Sequence, residues 1–66
     1  MQIQINGTAQ AVPEQSTLSA LIDQLRLTGK RLAVELNGEI VPRSTYAQRV
    51  LQENDMVEIV QAIGGG

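Results

Sequence analysis

Along the first six positions Met1, Ile3 and Ile5 alternate with Gln2, Gln4 and Asn6, the period-two pattern of a strand with one buried face. Asn6-Gly7 follows, the preferred pair for a type I′ hairpin turn, whose two central residues both need positive φ. Thr8 to Val12 is predicted to return antiparallel and to stop at Pro13, which has no N–H to give a ladder.

The period then changes. Leu18, Leu21, Ile22 and Leu25 fall at i, i+3, i+4 and i+7 and form one apolar stripe, with Asp23, Gln24 and Arg26 facing away. Ser16 or Thr17 is placed to cap this helix by accepting a bond from a free N–H. Gly29 is expected to stop it, with Arg26 and Lys30 near its negative end. Leu32, Val34 and Leu36 alternate with Ala33 and Glu35 as a third strand. Asn37-Gly38 predicts a second tight turn into a short Ile40-Val41 strand that Pro42 ends. Ser44 to Leu51 is expected to hold a brief helical turn packing Ala47, Val50 and Leu51. Glu53-Asn54-Asp55 is a polar turn, and Met56 to Ile63 reads as the last strand.

Hairpin, helix, strand, short strand, strand is an α+β order. A right-handed crossover through the helix would set the last strand parallel to the first, in the middle of the sheet. The fold expected is therefore a β-grasp (ubiquitin-like) domain over residues 1–63. It would have a mixed four- to five-stranded sheet with one main helix packed on one face. The expected core is Ile3, Ile5, Leu18, Leu21, Ile22, Leu25, Val34, Leu36, Val57 and Ile59. Residues 64–66 would be a flexible Gly-Gly-Gly tail.

Composition narrows what such a domain does. A chain of 66 residues buries only about 60% of the surface its unfolded form exposes, and it contains no Cys and no His to staple it. The apolar fraction of 42% at a net charge of −2 is too high for a disordered chain. Arg26, Lys30, Arg31, Arg43 and Arg49 are scattered, and Tyr46 is the single aromatic. Nucleic acid is not expected as a partner, for want of a basic stripe and a stacking platform. No basic, apolar leader and no run of roughly 20 apolar residues is visible, so no membrane association is expected and the cytoplasm is the expected location. The Asn6-Gly7-Thr8 sequon is then coincidental.

The side chains offer no reaction centre. Glu14, Asp23, Glu35, Glu39, Glu53, Asp55 and Glu58 are spread over turns and outer faces, the distribution of solvated groups and not of an acid–base pair. No His or Cys is available as nucleophile, base or metal ligand, and no glycine pattern follows a strand as a phosphate cradle. What remains is the end of the chain, Gly64, Gly65 and Gly66. Glycine lets a backbone pass through a narrow channel, so the Gly66 carboxylate can be carried into another protein's active site and activated there. If Val57 and Ile59 face the core, then Met56, Glu58, Val60 and Ala62 face outward. Glu58, Val60, Ala62 and Ile63 then become candidates for docking the enzyme that receives the tail.

Four stretches resemble the ubiquitin-like sulfur carriers of thiamine biosynthesis (ThiS-type): Met1-Gln2-Ile3, Leu36 to Arg43, Asn54 to Val60, and Ala62 to Gly66. The resemblance covers essentially the whole chain. It implies a carrier and not an enzyme. An E1-like adenylyltransferase (ThiF-type) would adenylate Gly66, and sulfur from a cysteine desulfurase relay would convert it to a thiocarboxylate. A thiazole synthase (ThiG-type) would then consume that sulfur. The carrier itself is implied to need no cofactor, ATP and magnesium belonging to its activating enzyme. Two features depart from the pattern: Tyr46 stands where such carriers often have tryptophan, and Gly64 adds a third glycine. The molybdopterin-synthase small subunit and ubiquitin-like protein modifiers share the general plan and are the alternatives. The first tends to be longer than this chain.

Overall fold

The computed structural model describes residues 1–61. Strand β1 (Gln2–Ile5) pairs antiparallel with β2 (Thr8–Ala11), Ile5 opposite Thr8 and Gln2 opposite Ala11. Asn6 and Gly7 connect them at φ of 50° and 84°, the left-handed pair that a two-residue type I′ turn demands. A second hairpin joins β3 (Leu32–Leu36) to β4 (Glu39–Ile40) through Asn37 and Gly38, with φ of 51° and 87°. Strand β5 (Met56–Gln61) lies between the hairpins, parallel to β1 and antiparallel to β3. The sheet order is β2-β1-β5-β3-β4, a five-stranded β-grasp sheet with the last strand at its centre. Ala62 and Ile63, expected to continue β5, lie outside the described residues.

Helix α1 (Leu18–Gln24) starts at Thr17, whose hydroxyl accepts from the Ala20 N–H at 3.1 Å. It buries Leu18, Leu21 and Ile22 against the sheet, with Leu25 half-buried at its end. Gly29 does not stop it, contrary to the sequence expectation. The stop is Arg26, at φ 60°. The Arg26 N–H donates to the Asp23 carbonyl and the Leu27 N–H to the Ile22 carbonyl, both at 3.0 Å. These two bonds are a Schellman cap, and Leu27 and Ile22 both join the core side of it. The end is thus set by where Leu27 must pack. A left-handed residue with a Cβ costs about 1–2 kcal/mol. Glycine relieves that strain but loosens the unfolded chain by about 0.4–1 kcal/mol, and the Arg charge near the helix end is worth a few tenths. Arg26→Gly is therefore expected to stabilise the domain by about 0.5 kcal/mol, a rise in Tm of about 2–4 °C. Thermal unfolding followed by circular dichroism checks this.

The core contains seven of the expected residues buried, namely Ile3, Leu18, Leu21, Ile22, Val34, Leu36 and Val57. Ile5, Leu25 and Ile59 pack at its margin. Val12, Val41, Tyr46 and Leu51 are also buried, and all four lie outside the regular strands and helix. The segment after Pro42 is a 3₁₀ turn, Arg43–Thr45, closed by Thr45 N–H to Pro42 carbonyl at 2.9 Å and Tyr46 N–H to Arg43 carbonyl at 3.2 Å. With three residues per turn, Tyr46 swings inward while Ala47 is exposed and Val50 is 46% exposed. The expected packing of Ala47 and Val50 is therefore replaced by Tyr46; Leu51 packs as expected. This segment also completes the helix start. The Leu18 N–H donates to the Arg49 carbonyl at 2.9 Å and the Ser19 N–H to the Tyr46 carbonyl at 3.1 Å. Two donors that a helix N-terminus leaves free are satisfied in this way.

Candidate functional site

The helix covers one face of the sheet. On the other face β5 presents Met56, Glu58 and Val60, the outward set expected from its alternation, while Val57 is buried and Ile59 half-buried. Register decides what surrounds them. Val60 stands opposite Ala33 and Glu58 opposite Glu35 on β3, and Met56 opposite Gln4 on β1. Glu35 in turn stands opposite Ile40 on β4. The uncovered face thus brings together Ala33, Glu35, Ile40, Met56, Glu58 and Val60. Ile40 is 67%, Val60 64% and Met56 57% exposed.

Two properties of this face bear on chemistry. Its exposed apolar side chains come from three strands, Ala33 on β3, Ile40 on β4 and Met56 and Val60 on β5, and they lie around the Glu35 and Glu58 pair. The carboxylates of Glu35 and Glu58 occupy directly opposed positions, where Cβ atoms are about 5 Å apart and like charges destabilise the pair. Neither makes an ion pair among the described residues. A shallow depression lined by Asn6, Ala33, Glu35, Glu58, Ile59 and Val60 runs beside them. Of the docking candidates, Glu58 and Val60 are exposed on this face. Ala62, Ile63, Gly64, Gly65 and Gly66 lie outside the described residues. Glu35 and Ile40 belong to the same surface and were not picked out from the sequence. The alternation of β3 already places Glu35 outward, but only the pairing register shows that it meets Glu58.

Other carboxylates have structural duties. Asp55 accepts the Gln52 N–H at 2.8 Å and the Asn37 side-chain amide at 3.0 Å, Glu53 accepts the Gln2 N–H at 3.2 Å, and Asp23 accepts the Thr28 hydroxyl at 3.1 Å. Among the described residues, no three His, Cys, Asp or Glu side chains converge, and no polar or charged side chain is buried. No described helix is long and apolar enough to cross a membrane. The arrangement presents a surface and a strand end.

Known proteins carry the same pattern. A family model described as the ThiS family matches residues 3–66. The sulfur carrier protein ThiS of Escherichia coli (strain K12) is 35% identical over 66 residues, with both chains covered completely. Thiazole synthases of Paramagnetospirillum magneticum and Magnetococcus marinus are 42% and 41% identical across the whole of this chain, which spans 20% of the length of each. The crystal structure of the thiamine biosynthesis protein (ThiS) from Geobacter metallireducens matches with a TM-score of 0.85 at 29% identity, each chain covered in full.

Proposed function

The chain belongs to the ThiS family, and we propose from this that it is a sulfur carrier for thiamine biosynthesis whose reactive group is the Gly66 carboxylate. The observation that carries the reading is the placement of β5, the central strand, whose outward face exposes Met56 and Val60 on either side of Glu58 and whose next residues lead to Gly64-Gly65-Gly66. The domain of residues 1–63 is the handle, and residues 64–66 are the part that enters an enzyme.

In this reading the Gly66 carboxylate attacks ATP on an E1-like, ThiF-type adenylyltransferase and pyrophosphate leaves. The acyl-adenylate has in AMP the good leaving group that a carboxylate lacks. The terminal sulfur of a persulfide supplied by a cysteine desulfurase then displaces AMP to form an acyl disulfide. Attack of an enzyme thiol on that S–S bond releases the thiocarboxylate and leaves a disulfide on the enzymes. A ThiG-type thiazole synthase consumes the thiocarboxylate. Among its 66 residues the chain has no Cys and no His, so the carrier supplies the acyl group and the docking surface, and the enzymes supply the catalytic groups. The reading places the protein in the cytoplasm with these enzymes. The similarity of this whole chain to a fifth of two thiazole synthases supports the synthase as a partner, since there the same module accompanies that enzyme in one protein.

Docking falls on Glu58 and Val60 together with Ala62 and Ile63, and on Glu35, Ile40 and Met56 across the sheet. The opposed Glu35 and Glu58 carboxylates select a partner with a basic side chain set among apolar ones, because that cation relieves their repulsion. The experiment that tests the function is complementation. Expressed in a strain that lacks its own thiamine sulfur carrier, the chain is expected to restore growth without thiamine. Failure there, with restoration of a strain lacking the molybdopterin-synthase small subunit, would assign it to the other pathway.

A further inference from the structure

Asn6 does more than its turn requires. It sits at φ 50° between β1 and β2, a conformation that Gly or Asp also tolerates. Its backbone N–H donates to the Val57 carbonyl at 2.8 Å. In a regular parallel ladder the residue making that bond would accept the next inward amide of the neighbouring strand through its own carbonyl. Here the chain turns away and the side chain takes over. The Ile59 N–H donates to Asn6 Oδ1 at 2.8 Å, and Asn6 Nδ2 donates to the Ile59 carbonyl at 3.1 Å. The Cα register of β1 and β5 covers Gln4↔Met56 and Ile5↔Val57, so the carboxamide carries the pairing a further step toward Gly66. An amide can make both bonds at once, whereas a carboxylate lacks the donor and glycine lacks both groups.

We infer that Asn6 is a positioning residue for the reactive end of the chain. Its carboxamide fixes the direction of β5 where that strand departs from β1, and with it the region of space that Gly66 can reach. The inference rests on the carrier reading above. Strand β3 pairs with β5 as far as Leu32↔Gln61, so without the carboxamide β5 is held from one side only at Ile59. From there to Gly66 the chain extends at most about 25 Å, and loosening at Ile59 widens the region the carboxylate visits. An enzyme that receives the end engages the correctly aimed fraction of carriers. Reducing that fraction raises the apparent KM in proportion and leaves turnover of the docked complex unchanged.

Asn6→Gly keeps the positive φ of the turn and removes the carboxamide. Two measurements follow: hydrogen exchange of the Ile59 amide in the isolated protein by NMR, and steady-state adenylation by a ThiF-type enzyme. The Ile59 amide is expected to exchange about 10-fold faster, and KM for the carrier to rise about 5–10-fold with kcat retained. Asn6→Asp keeps the acceptor for the Ile59 N–H, loses the donor, and is expected to fall between glycine and wild type. Unchanged Ile59 exchange, an unchanged KM, or a loss confined to kcat would each overturn the inference. A wild-type chain that is not adenylated at all contradicts the carrier reading instead, and Ile59 exchange then still decides whether Asn6 holds the strand.

Discussion

Deleting Gly66 is expected to lower the rate of adenylation at least about 100-fold while leaving the unfolding midpoint unchanged. The truncated chain still ends in a carboxylate, so the loss is one of reach and not of chemistry. One residue fewer withdraws the carboxylate by about 3.5 Å, and a misplacement of about 1 Å at a reacting centre can cost about 100-fold. Residue 66 follows the described sheet and helix, and among the described residues no buried side chain lies beyond Val57, which is why the midpoint is expected to hold. Pyrophosphate release with a ThiF-type enzyme, beside a thermal melt of the same preparation, separates the two effects. Undiminished release by the truncated chain would remove Gly66 from the account.

Val60→Glu has the second largest expected effect. Val60 is 64% exposed and stands opposite Ala33, beside the Glu35 and Glu58 pair. A third carboxylate there would have to be desolvated under a docked partner, and truncating or charging the centre of an interface costs about 2 kcal/mol or more. Binding to the activating enzyme or the synthase is expected to weaken at least about 30-fold. On the free protein the same substitution replaces an exposed side chain, which normally changes stability by no more than about 0.5 kcal/mol. Titration calorimetry with each partner checks the first number and chemical denaturation the second. Equal affinity of the mutant and wild type would show that the open face is not the docking surface.

The order and pairing of the strands were legible in the sequence because β1 and β3 alternate, each Asn-Gly pair favours one turn type, and a right-handed crossover sets the last strand beside the first. Ile3, Val34, Leu36 and Val57 could be assigned to the core from period alone. Val12, Val41 and Tyr46 were not in the expected core, since they lie outside regular elements and their inward direction is set by tertiary bonds; Leu51, also outside them, was expected to pack and does. Tyr46 is the clearest case. Its burial follows from a 3₁₀ geometry that Pro42 and Thr45 close, and the same segment lends its carbonyls to the start of α1. The helix end was misplaced because Gly29 is the better αL residue on conformational grounds. The packing of Leu27 against the core outweighed that preference and imposed the left-handed state on Arg26. The sequence shows only the backbone demand at Asn6; its carboxamide bonds to Ile59 depend on the register of two strands far apart in sequence.

At the site, the outward set of β5 was predictable from alternation, and Glu58 and Val60 are exposed on it. The acidic partner Glu35 and the apolar Ile40 come from pairing, which composition does not encode. The tail itself was the most visible feature of the sequence. What the fold adds is that the strand preceding it is the central one, with apolar side chains on its open face. On the function proposed above, a carrier without Cys keeps its sulfur on the acyl carbon of its last residue.

Intact-mass spectrometry of the chain after incubation with a ThiF-type enzyme, ATP, a cysteine desulfurase and cysteine tests that claim most directly. The account predicts a mass increase equal to replacement of one oxygen by one sulfur, localised by fragmentation to Gly66. Demonstrated adenylation with no such increase, or conjugates joined through target lysines in its place, would contradict it.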